Sequence, residues 1–145
     1  MNEDSTVIIV FAHGSALPEA NREVARLAEE VSRQARCPAR CAFLELAQPD
    51  LGAAVAAAVA AGARRIVVIP YFLTMGVHMR RDLPRLLAEQ QARFPAVDLR
   101  AAQSLEGYSG MAQALLDRVE EALSDKEILG GDSNFPDIRS REKDR

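Results

Sequence analysis

The chain has 145 residues, 48% of them hydrophobic and 27% charged, which is the size and balance of one globular domain rather than a disordered polymer. A net charge of −3 argues against a general nucleic-acid or anionic-membrane binder. The only lysines are Lys126 and Lys143, so Schiff-base and P-loop lysine chemistry is excluded from the first 124 residues; two histidines, carboxylates, hydroxyls and arginines remain.

Met1 to Thr6 is polar, and the apolar run Val7–Ala12 is too short for a signal core or a membrane span, so a cytoplasmic protein with no membrane partner is expected. That run is continuous and β-branched, as a strand buried on both faces should be. Pro18–Ala35 follows as an amphipathic helix, with Ala20, Val24, Leu27, Ala28 and Val31 on one stripe. Cys37 and Cys41 are too few and wrongly spaced for zinc or a C-x-x-C redox pair, and read as ordinary thiols of a reducing compartment. Ala39–Leu46 is a weaker, edge-like strand ending beside Glu45. Pro49–Ala61 is an Ala/Val helix that stops at Gly62. Arg65–Phe72 is the second fully apolar strand. A helix is expected over Asp82–Phe94, with Asp82 as its cap and Pro84 in its first turn. Val97–Gln103 is a second polar strand, and Tyr108–Leu123 a last helix. Asp125–Arg145 loses all hydrophobic period and is expected to be a disordered tail after a domain spanning residues 1–124.

This β-α-β-α-β-α-β-α order means right-handed crossovers and an α/β, three-layer fold with a four-stranded parallel sheet. The two apolar strands should be central, giving the order 2-1-3-4 and a switch point between strands 1 and 3. Ligands bind beyond the carboxyl ends of such strands. There stand His13-Gly14-Ser15 after the first strand and Leu73-Thr74-Met75-Gly76-Val77-His78 after the third. The only two histidines thus fall on the two loops that flank the expected crevice. Imidazole is both a metal ligand and a proton acceptor near neutral pH. Glu45, at the end of strand 2, is the third candidate, as a ligand or a base. No G-x-G-x-x-G, Walker or G-x-S-x-G motif occurs, and Ala12 stands where a histidine phosphatase wants arginine. Metal handling is the leading class.

The segments Phe11–Ser15, Ala42–Pro49 and Ile69–Pro84 resemble the class II tetrapyrrole chelatases, specifically the small CbiX-like sirohydrochlorin chelatases. The likeness runs from about Val7 to about Leu123. It implies a chelatase-like fold and insertion of Co²⁺ or Fe²⁺ into sirohydrochlorin without ATP, for cobalamin or sirohaem synthesis. It implies no cofactor beyond that substrate metal. It further implies that His13 and His78 bind the incoming metal and help take the pyrrole protons, with Glu45 assisting. Toward such a ligand Leu73, Met75, Gly76 and Val77 offer an apolar wall, and Arg80 and Arg81 are candidates for its rim carboxylates. Their alternative is a pair of solvated charges at a helix start. Ser15 is either a carboxylate partner or a turn cap. One lobe supplies one wall, so a homodimer is expected. A nickel chelatase of the same family and a non-enzymatic metal or tetrapyrrole carrier remain the alternatives.

Overall fold

The computed structural model describes residues 5–124; the expected disorder of the tail lies outside them. Eight elements alternate: β1 (Thr6–Ala12), α1 (Pro18–Ala35), β2 (Ala39–Phe43), α2 (Leu51–Ala60), β3 (Arg65–Pro70), α3 (Val77–Arg93), β4 (Asp98–Ala101) and α4 (Gly110–Ser124). The four strands form one parallel sheet in the order β2-β1-β3-β4, as the hydrophobicity of the runs requires. The division into compact units falls after Tyr108, so α4 is described by itself: a helix none of whose residues is buried.

The core lies between the sheet and the helices α2 and α3. Val7, Ile9 and Phe11 of β1 and Ile66 and Val68 of β3 alternate onto this face and meet Leu51, Ala54, Val55 and Ala58 of α2 and Leu83 of α3. The small residues of α2 let its backbone lie close on the sheet, and Asp50 caps it by accepting from the Ala53 N–H at 2.8 Å. Helix α1 packs on β1 and β2 and buries Ala28, outside that cluster. Ile66 is fully buried in the middle of the core. Ile66→Ala should therefore cost about 2–5 kcal/mol, lost transfer energy plus a cavity, read as a lower urea midpoint at unchanged slope. A midpoint equal to wild type would mean that the core is not centred there.

Element ends shift from expectation by one or two residues in α2, β4 and α4, and three further shifts fall beside the candidate residues. β2 ends at Phe43, so Glu45 stands in a loop and not on the strand. β3 ends at Pro70, two residues short. Helix α3 begins at Val77, five residues before the expected Asp82 cap, with Gly76 as an N-cap that offers no side chain. Asp82 and Pro84 mimic a helix start from inside the helix. Pro84 then leaves the Arg80 carbonyl without its i→i+4 N–H donor. The cysteines are both free, and burial pushes the Cys41 thiol pKa up, away from reactivity. No described helix is long and apolar enough to cross a membrane.

Candidate functional site

The parallel ladder of β1 and β2 continues past both strands: Leu44 N–H donates to Ala12 O at 2.9 Å, and Glu45 N–H to His13 O at 3.0 Å. These two bonds set residues 13 and 45 side by side at the carboxyl end of the sheet. Gly14 makes that approach possible. Its φ is +92°, and a Cβ there would lie 1.8 Å from the Glu45 carbonyl oxygen. The side chains then meet, with His13 Nε2 and Glu45 Oε1 2.7 Å apart, and both remain more than half exposed. The tautomer that matches a carboxylate acceptor carries its proton on Nε2 and leaves Nδ1 as the lone-pair nitrogen. The pair is open to solvent, and an imidazole and a carboxylate so placed have the chemistry to accept a proton or to ligate an ion.

His78 is the second residue of α3 and is exposed; Arg81 Nη2 donates to its Nδ1 at 3.4 Å. Among the described residues no group of three or more His, Cys, Asp or Glu is gathered to hold a metal ion. The structure brings His13 and Glu45 together, while His78 stands in the first turn of α3, after β3, with Arg81 as its neighbour. Ser15 shapes the turn into α1: its Oγ accepts from Leu17 N–H at 3.0 Å, and its backbone exchanges two bonds with the Asn21 side chain. Leu73 and Val77 are exposed, whereas Met75 packs against the core. Gly76 has open space where a Cβ would be, so the fold itself does not demand glycine there. Arg81 reaches toward Asp82, and Arg80 is tied to Met75 O and to Glu106.

Sequence reading picked out Leu73 and Val77 of an exposed apolar rim and missed its four other large residues. Leu17, Leu46, Tyr71, Leu73, Val77 and Tyr108 are all large, exposed and beyond the carboxyl ends of the four strands. Exposed apolar side chains on the loops at one end of a sheet, the end that also carries two polar groups, mark a binding face. Leu46, directly after Glu45, even holds φ +61°, a left-handed conformation that costs a branched residue free energy and recurs at functional sites. The available signal was the position of these bulky residues in loops, where polar ones are usual.

The CbiX family model matches residues 7–122 of the chain. The sirohydrochlorin cobaltochelatase of Methanocaldococcus jannaschii is 38% identical over 81 residues, 55% of this chain and 57% of that one. The chloroplastic sirohydrochlorin ferrochelatase of Arabidopsis thaliana is 30% identical over 83% of this chain, which spans only 54% of the plant protein. Among solved structures, a CbiX protein of cobalamin (vitamin B12) biosynthesis from Marinobacter aquaeolei VT8 superposes with a TM-score of 0.73 at 31% identity, covering 82% of this chain and 98% of that one.

Proposed function

The chain belongs to the CbiX family, and from that premise we propose that it inserts a divalent metal ion, Co²⁺ or Fe²⁺, into sirohydrochlorin without ATP. The observation that carries the reading is the open His13–Glu45 pair at the end of the sheet whose loops carry the exposed apolar rim. Insertion needs a flat, largely apolar macrocycle held against a surface, water stripped from the ion, and two pyrrole protons removed. The rim serves the first need. Imidazole at His13 and at His78 serves the second, as ligands that leave the coordination set incomplete. The His13–Glu45 pair and His78 serve the third: once the ion has passed to the macrocycle, His13 Nδ1 takes one proton as its Nε2–H passes to Glu45, and the His78 imidazole takes the other.

Leu73, Val77 and Gly76 belong to the macrocycle wall, which Met75 backs from the core side, with Ser15 and Arg81 toward its carboxylate edge. The metal is substrate, and no cofactor is assigned besides it. The plant relative is nearly twice as long as the part this chain matches, which supports a homodimer in which a second copy supplies the facing wall. A cytoplasmic place and the absence of nucleic-acid and membrane partners fit a chain of net charge −3.

The test is anaerobic mixing of the protein with sirohydrochlorin and Co²⁺ or Fe²⁺, followed by the visible spectrum. Insertion is expected well above the protein-free rate with at least one of the two ions. A rate equal to the control with both would overturn the reading, and tight retention of metal or tetrapyrrole without insertion would make the protein a carrier.

A further inference from the structure

The segment that carries His78 is held at both ends by the loop after β4. At its start, Leu105 N–H donates to Phe72 O at 3.2 Å. At its end stands Arg80, two residues past His78. Its Nε donates to Met75 O at 2.9 Å, and its Nη2 to Glu106 Oε2 at 2.8 Å. One side chain thus closes the Tyr71–Gly76 loop onto the first turn of α3 and ties both to the β4 loop.

Two features make this tie matter locally. Pro84 provides no N–H for the Arg80 carbonyl, so the first turn of α3 is joined to the rest of the helix by one bond fewer. Between the two loops lies an open groove of about 460 Å³, in the range of ligand-sized cavities, lined by Met75, Arg80, Leu83, Ser104 and Glu106 among others. The ion pair of Arg80 and Glu106 spans it, joining one wall to the other. The Arg80 side chain is 62% exposed and that of Glu106 37%, so the pair adds little to global stability. Its consequence is where His78 sits.

Resting on the reading of His78 as a metal ligand, we infer that Arg80 and Glu106 are a positioning pair that fixes the segment carrying His78 beyond the carboxyl end of β3. This departs from the sequence expectation of Arg80 as a partner of the substrate's carboxylates, and the two roles make opposite predictions. A positioning pair needs both members. A substrate-binding Arg80 would be competed for by Glu106, and removing Glu106 would free it.

The experiment compares Glu106→Gln, Arg80→Met and the exchanged pair Arg80→Glu/Glu106→Arg with wild type. Each is followed by steady-state insertion of Co²⁺ into sirohydrochlorin and by amide hydrogen exchange over residues 71–80. Both single variants should lose about tenfold in kcat with KM within about twofold, since small displacements of a reacting group cost rate. Exchange in the segment should rise about tenfold, and the exchanged pair should recover part of both. A raised KM in Arg80→Met with an unchanged or lowered KM in Glu106→Gln would overturn the inference in favour of substrate binding. Unchanged kcat and unchanged exchange would overturn it outright. Should wild type itself show no insertion, the proposed function fails, and the exchange data alone then decide whether the tie holds the segment.

Discussion

Replacing His13 by alanine is expected to lower the rate of metal insertion roughly 100-fold or more while leaving the protein folded. The magnitude is that of a positioned proton acceptor, which contributes about 10²–10⁴-fold. The folded state should survive because the side chain is 58% exposed and makes one hydrogen bond, to Glu45; surface changes of this kind stay within about 0.5 kcal/mol. Glu45→Gln keeps the shape of that partner and removes its charge, so it separates two jobs. If the carboxylate takes a proton, the glutamine variant falls nearly as far as His13→Ala. If it only orients the imidazole, the amide oxygen still accepts from Nε2 and most activity remains. The double variant should lose little more than the worse single one, because groups acting as a unit are not additive. His78→Ala should be as severe by a different route, the loss of a ligand, and excess Co²⁺ should then recover part of the rate. Full activity in His13→Ala or in His78→Ala would remove that residue from the mechanism, as read in the same anaerobic spectral assay.

The sheet order was legible because burial on both faces demands uninterrupted apolar runs, and only Val7–Ala12 and the run after Arg65 are of that kind. The histidines were legible because both follow those two strands. What stayed hidden depends on contacts between distant residues or on backbone states without a residue signature. Helix α3 starts at a glycine with no capping side chain, while Asp82 and Pro84 imitate a start five residues further on. Leu46 adopts a left-handed conformation that a sequence reader expects of glycine or asparagine. Arg80 reads as a free cation next to Arg81, yet its partner Glu106 is 26 residues away. The wall residues divide for the same reason: Met75 turns inward onto the core and Leu73 outward, which periodicity in a loop cannot tell.

Gly14→Ala should be nearly as damaging to activity as removing His13, and unlike that variant it should also destabilise the fold. The added Cβ would stand 1.8 Å from the Glu45 carbonyl oxygen and 3.0 Å from its carbonyl carbon, both backbone atoms of the neighbouring strand end. Backbone cannot rotate away as a long side chain can. The Glu45 N–H to His13 O bond must open, and with it the contact of the His13 and Glu45 side chains. Strain at a left-handed position costs about 1–3 kcal/mol and a lost hydrogen bond about 1 more. For a domain of this size that is roughly a 5–15 °C fall in Tm. Gly76→Ala is the matched control, since its Cβ would meet nothing within 4 Å and the backbone there needs no glycine. Its Tm should equal that of wild type, so any activity it loses reports on the space the macrocycle occupies above Gly76. If Gly14→Ala keeps both its Tm and its rate, the close approach of the two loops is not what builds the site. If it loses stability and keeps its rate, the His13–Glu45 contact is a feature of the resting protein and not of the reaction.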